Sequence, residues 1–131
     1  MTELPAVVVS KSRCELRVVT PDGERIYPVS IGSNPDVADK REEGDCRTPE
    51  GDFTVVSVED SSDWEHEGER VYGPLFLRLD CSPWEGIGIH GTNRPDLIGR
   101  PASRGCVRMR DEDLLELAAV VGVGTRVRIV A

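Results

Sequence analysis

The sequence predicts a mostly β domain, an antiparallel β-sandwich or partly closed barrel with one short α-helix. Three observations point there. Short apolar or alternating segments recur between clusters of Gly, Pro, Asp and Ser, the pattern of many short strands joined by turns. Only one stretch, residues 111–120, reads clearly as helix. Aromatic residues are 5% of the 131, so the core must be mostly Val, Leu and Ile, which suit strands. A single domain over residues 1–131 fits this length. A chain of that size buries enough surface to fold without disulfides or a metal.

The elements follow in order. Ala6–Val9 is an apolar run, the first strand. Over 13–19, Cys14, Leu16 and Val18 share one face and Arg13, Glu15 and Arg17 the other, so Cys14 belongs to the core. Thr20-Pro-Asp-Gly-Glu24 is a turn, with Pro to preset φ and Gly to accept positive φ. A partner strand with Tyr27, Val29 and Ile31 on one face completes a hairpin. Residues 32–51 read as a long surface loop, ending in a tight bend before a strand at Phe53–Val58. Thr48 in that bend reads as a turn-stabilising hydroxyl ahead of a cleft residue. Residues 59–74 form an acidic loop in which His66, between two glutamates, reads as a solvated histidine. Loops of this length often act as lids, so this one can wall a cleft.

Leu75, Leu77 and Leu79 then alternate with Phe76, Arg78 and Asp80. After a turn at 81–86, Ile87 and Ile89 point to one face and His90 to the other. Gly86 and Gly88 beside His90 leave room for a ligand or another backbone. Cys106 and Arg108 share a strand face opposite Val107 and Met109. The helix has acids in its first turn, a capping-box spacing at Asp113 and Glu116, and Gly122 placed for its C-terminal stop. The last strand is Arg126–Val130, with Val127 and Ile129 inward. Seven or eight strands result.

A net charge of −8 argues against nucleic acid or an anionic membrane as partner. Residues 94–110 nevertheless hold five arginines (Arg94, Arg100, Arg104, Arg108, Arg110) and one acid, Asp96. Such a basic lobe on an acidic body suits a small anionic ligand. The four cysteines show no metal-ligand spacing, so neither metal nor cofactor is expected. No signal-peptide pattern and no apolar run near 18 residues is present, so no membrane segment is expected. A cytoplasmic location follows if the chain is complete, the cell envelope if a longer precursor has been shortened. A monomer is expected.

The stretch from His90 to Met109 carries the chemistry. A cysteine attacks carbonyls as the thiolate, so its proton must be taken by a base or its anion favoured by positive charge. His90 supplies the base and the nearby arginines the charge. Gly105 before Cys106 suits a sharp turn that lifts the thiol and aims the Gly105 and Cys106 N–H groups at a developing oxyanion. The group that orients the imidazole is less evident. Asn93 is close in sequence and can orient the ring or merely shape the turn, and a backbone carbonyl such as that of Gly91 can also do the work.

His90-Gly-Thr-Asn-x-Pro-x-x-Ile-Gly-x-x-x-Ser-x-Gly-Cys-x-Arg-Met109 resembles the signature of the L,D-transpeptidase (YkuD-type) catalytic domain. The likeness extends to Arg47-Thr-Pro-x-Gly-x-Phe53 and the early hairpin. The resemblance implies a mostly β fold acting on peptidoglycan stem peptides or muropeptides, and carbapenem-type inhibitors. It implies Cys106 as nucleophile, His90 as base and Gly91 as the orienting carbonyl. Ser103, Arg104, Gly105 and Cys106 become the oxyanion turn, and Arg108, Asn93 and Thr92 contact substrate. Many relatives carry His where Arg104 stands, which leaves His90 as the base. The implied reaction passes through a Cys106 thioester and ends in a 3→3 cross-link. Three alternatives stay open: an L,D-carboxypeptidase that trims tetrapeptides to tripeptides in wall recycling, a non-catalytic peptidoglycan-binding module, and a different cysteine hydrolase such as an amidase that detaches groups from the stem peptide.

Overall fold

The computed structural model describes residues 6–34 and 39–131; residues 1–5 and the part of the 32–51 loop at 35–38 lie outside the description. Strands β1 (Val7–Ser10), β2 (Glu15–Thr20) and β3 (Gly23–Pro28) form an antiparallel meander, with Leu16 opposite Tyr27 and Val9 opposite Leu16. Alternation sends Val7, Val9, Leu16 and Val18 inward, all buried. Chain direction changes after Pro28. Ser30 bridges to Arg108, and a short strand β4 (Ile31–Gly32) follows. The expected partner strand is therefore two pieces, although Tyr27, Val29 and Ile31 are all buried as the pattern requires.

The remaining strands are β5 (Gly51–Asp60), β6 (Leu75–Leu79), β7 (Gly88–His90), β8 (Pro101–Ser103), β9 (Val107–Arg108) and β10 (Arg126–Val130). Eight of them make one sheet in the order β3-β2-β1-β10-β5-β6-β7-β9, and β4 pairs with β8 apart from it. The sheet curls into a half-barrel. Its concave side is filled by Val, Leu and Ile side chains together with Met109, Leu114 and Leu117. Lys11, 1% exposed, ties the Thr48–Glu50 bend to the start of the sheet through the Thr48 carbonyl at 2.8 Å and Glu50 at 3.1 Å.

Among the described residues most ladders are antiparallel and three are not. The β1–β10, β4–β8 and β7–β9 ladders are parallel. Parallel neighbours need a long crossover, and residues 91–106 supply one between β7 and β9. That crossover holds a 3₁₀ turn at Pro95–Leu97 and strand β8.

The helix α1 (Asp111–Ala118) departs from expectation at both ends. Its N-cap is Arg110, with no side-chain cap, so Asp113 and Glu116 lie inside the helix and form no capping box. Glu116 instead accepts the Tyr27 hydroxyl at 3.0 Å. Gly122 is not the stop. The N–H groups of Val120 and Val121 already turn back to the Leu117 carbonyl, and positive φ falls at Gly124.

Candidate active site

Strand pairing builds the floor of the site. The parallel register sets Ile89 beside Val107 and His90 beside Arg108. Cys106, two residues before Arg108, shares that face. On its other side β7 pairs with β6, placing Phe76 opposite His90 and Leu77 opposite Ile89. Ile89, Leu77 and Val107 enter the core, while His90 enters a separate aromatic nest. Its ring stacks on Phe76 at 5.4 Å and 11° and leans on Tyr72 at 5.1 Å. Trp64 closes the nest over Phe76 and Tyr72. Gly88 makes the stack achievable: a Cβ there would stand 2.5 Å from the Phe76 ring and 2.6 Å from the Leu77 carbonyl. The space beside Gly88 is thus filled by Phe76 and not by a ligand.

His90 is 2% exposed, and burial lowers its pKa from the ordinary 6.5 to about 4 against the opposing pull of the Gly91 carbonyl. It is a neutral imidazole at neutral pH. Nδ1 lies 2.6 Å from the Gly91 carbonyl oxygen, which assigns the ring proton to Nδ1 and leaves Nε2 as the basic lone pair. The Gly91 N–H donates to the Tyr72 carbonyl at 2.8 Å. A Cβ on Gly91 would overlap the Asp111 carboxylate and the Gly73 backbone. Asp111 accepts the Thr92 N–H at 3.0 Å, and the Thr92 hydroxyl accepts the Arg94 N–H at 2.9 Å. Gly91 is therefore clamped from both sides.

Residues 103–106 form a closed turn. The buried Ser103 hydroxyl donates to the Cys106 carbonyl at 2.6 Å and accepts the Gly105 N–H at 3.1 Å. Gly105 has φ +144, and a Cβ there would press on the Arg47 carbonyl at 3.1 Å. The Gly105 N–H is thus engaged inside the turn, which corrects its expected place as an oxyanion donor and leaves the Cys106 N–H as the candidate. The half-buried Cys106 thiol donates to the Gly86 carbonyl at 3.2 Å. Burial raises its pKa above the ordinary thiol value, opposed by the Gly88 N–H and the charges of Arg108, Arg78 and Lys40. The resting pair is a thiol and a neutral imidazole, with no hydrogen bond between them among those present.

These groups share one cleft of ≈310 Å³, lined by Cys106, His90, Arg108, Arg104, His66 and Tyr72 together with parts of the 40–44 and 85–87 segments. Asp45 shapes the 40–44 wall. Burial raises its pKa, but hydrogen bonds from Lys40 and from the Arg41, Glu42 and Arg47 N–H groups outweigh this and hold the carboxyl well below the usual range. Lys40 also lies 5.3 Å over the Trp84 ring, which joins this wall to the 81–86 turn. Among the described residues Arg108 has no ion pair, and its buried Nε has no hydrogen-bond partner. Burial lowers its pKa, opposed by Cys106.

The profile of the L,D-transpeptidase catalytic domain (YkuD) matches residues 5–129. This chain belongs to the L,D-transpeptidase catalytic-domain family. It is 41% identical to YkuD of Bacillus licheniformis over 105 residues, 80% of this chain and 52% of that protein. It is 34% identical to YqjB of Bacillus subtilis over 134 residues, 95% of this chain and 70% of that protein. The chain thus spans about half the length of the first relative. L,D-transpeptidase 3 from Mycobacterium tuberculosis, solved with a faropenem-derived adduct, shares the fold at a TM-score of 0.73 and 22% identity, over 97% of this chain and 61% of that one.

Set beside the family motif, the structure puts Cys106, His90, Arg104 and Arg108 in the cleft lining, with Gly91, Ser103 and Gly105 outside that lining as the backbone and hydroxyl contacts that hold them. Thr92 and Asn93 do not line the cleft. Thr92 is buried against Asp111 and Arg94, and Asn93 points out on an exposed bend. Their expected substrate contacts are corrected accordingly. The basic lobe also divides: Arg94 pairs with Asp96 at 2.8 Å away from the thiol, while Lys40 and Arg78, distant in sequence, act on it. Thr48 is a structural tie, its hydroxyl accepting the Gly32 N–H at 2.9 Å. Sequence reasoning missed Phe76, Tyr72, Trp64, Asp111 and the position of His66. Phe76 carried one signal, an aromatic on the polar face of an otherwise leucine-alternating strand. The others carried none that was local.

Among the described residues no cluster of His, Cys, Asp or Glu is placed to hold a metal, and no helix is long and apolar enough to cross a membrane.

Proposed function

We propose that this domain is a peptidoglycan L,D-transpeptidase working through a Cys106 thioester. The observation that carries this reading is the β7–β9 register, which aligns His90 with Arg108 and puts Cys106 on the same face of one cleft. In the first half-reaction the thiol leaves the Gly86 carbonyl and turns to His90. Nε2 takes its proton as sulfur attacks the carbonyl of the L-centred third stem residue. The tetrahedral oxyanion meets the Cys106 N–H. The C–N bond then breaks, and His90 returns the proton to the departing D-alanine amine. In the second half-reaction an acceptor amine attacks the thioester, its proton passes through His90 to sulfur, and the C–S bond breaks to leave a new amide.

A neutral resting pair suits this order. A half-buried thiol in the same cleft as a buried imidazole keeps its proton until a carbonyl arrives to receive the electron pair. Arg108, with unmet hydrogen-bonding capacity, takes a substrate carboxylate in the two-pronged manner of guanidinium groups. The test is mass analysis of products from a disaccharide tetrapeptide with and without an amine acceptor. Cross-linked dimer is the expected product. Tripeptide alone identifies a carboxypeptidase, and no product at all removes the enzymatic reading. A carbapenem should add its mass at Cys106 only.

A further inference from the structure

The 59–74 loop carries a polar cluster that the catalytic reading leaves unused. One oxygen of Glu67, Oε1, lies 3.6 Å from Arg104 Nη2 and 3.8 Å from His66 Nε2. Arg104 belongs to the nucleophile turn and His66 to the lid, and both line the cleft. Neither contact is short enough for a hydrogen bond, and His66 Nε2 is buried with no hydrogen-bond partner. Its hydrogen-bonding capacity is therefore unmet within the protein, and a ligand at the rim can satisfy it. Glu67 reaches the spot through a left-handed backbone, φ +53, which a non-glycine residue adopts at a cost. It sits at the tip of a tight loop closed by the His66–Glu69 bridge and followed by Gly68 at φ +82.

Resting on the transpeptidase reading, we propose that Arg104 and His66 form a second carboxylate subsite at the cleft rim, separate from Arg108, and that Glu67 occupies it until substrate arrives. The pair holds its own carboxylate loosely, because Arg104 and Glu67 are mostly exposed and water competes for both. A substrate carboxylate placed between them makes the short charge-assisted hydrogen bonds that Glu67 does not. The cleft's own acids, Glu43 and Glu85, stand on the wall joined by Lys40 and Trp84. They disfavour a carboxylate there and direct it to the rim. Two guanidinium groups, Arg108 on the floor and Arg104 at the rim with the His66 ring nitrogen beside it, select a stem peptide bearing two carboxylates. One is the terminal carboxylate, and the other is a free side-chain carboxylate on the third residue.

The experiment compares D-alanine release from a tetrapeptide with that side-chain carboxylate free and from its amidated twin. The wild type should prefer the free acid by about tenfold in kcat/KM, the scale of one charge-assisted contact pair. Arg104→Ala and His66→Ala should each collapse the preference towards unity through KM. Glu67→Gln should lower KM for the free-acid peptide about two- to threefold, since it removes the competitor, a gain that a merely structural glutamate would not produce. Circular dichroism of each variant establishes that it folds. Equal rates for the two peptides with wild-type enzyme, an unchanged preference in both alanine variants, or a raised KM in Glu67→Gln would overturn the subsite while leaving the transpeptidase reading in place. Release of D-alanine from neither peptide would overturn both.

Discussion

The floor and the rim of the cleft are built by different physics. On the floor, His90, Cys106 and Arg108 are set by the ladder of β7 and β9, and their neighbours are buried aromatic rings and clamped backbone. At the rim, Arg104, His66 and Glu67 sit on loops and meet through long contacts, 3.6 Å from Arg104 to Glu67 and 3.8 Å from the His66 ring to the same carboxylate. Backbone hydrogen bonding fixes the floor, as the proposed acyl transfer would require. Screened charge pairs hold the rim weakly, which allows a ligand to take their place. On the proposed reading, the base and the floor arginine stand on paired strands, and the nucleophile and the rim groups on the turns and loops beside them.

The sharpest way to break this division is at the nucleophile. Cys106→Ala should reduce D-alanine release to background, whereas Cys14→Ala, in the core beneath β2, should retain it. Activity surviving in the Cys106 variant would remove the floor from the chemistry. Next comes the base. His90→Gln should lower kcat/KM by about 10²–10⁴-fold, the usual range for a positioned proton acceptor.

The same residue links the floor to stability. Its folded pKa of about 4 lies below the ordinary 6.5, so the unfolded chain takes up the proton first as pH falls. The stabilisation is complete above about 6.5 and is lost as pH drops towards about 4, where the change amounts to about 3 kcal/mol. Urea unfolding at pH 7 and at pH 4.5 should show this loss in the wild type, and His90→Gln should reduce it. An equal loss in both proteins would place the titration elsewhere.

Gly88→Ala tests the packing beneath the imidazole. The added methyl meets the Phe76 ring, so the protein should lose about 1–3 kcal/mol and much of the near-ultraviolet dichroism of the aromatic nest. The smallest effect belongs to the outlying surface. Arg94 and Asp96 form a short pair, but both are more than half exposed. Arg94→Ala should change stability by no more than about 0.5 kcal/mol. A larger loss there would mean that the 91–106 crossover depends on that pair.

How much of this was legible in the sequence varies along the chain. Alternation at Leu16 and Val18, at Leu77 and Leu79, and at Val127 and Ile129 named the core correctly, because each side chain's face depends only on its position in its own strand. The helix was legible in its body and not at its ends. Asp113 and Glu116 have capping-box spacing, yet the helix starts at Asp111 and Glu116 is drawn to Tyr27, a partner far away in the chain. His66 looked like a solvated loop residue since its neighbours are acids. The fold of the lid, closed through Ser61 on the Gly73 carbonyl at 3.0 Å, carries it to the cleft.

By itself the sequence determined the residue types of the site, their order, and the shared face of Cys106 and Arg108. Those are local matters of chemistry and two-residue periodicity. Only the tertiary structure decided that β9 lies parallel to β7, that Phe76 fills the space left by Gly88, and that burial outweighs the arginines at the Cys106 thiol. Each of these depends on which distant segments come into contact. Strand partners and desolvation are properties of the packed chain, and no single stretch of it encodes them.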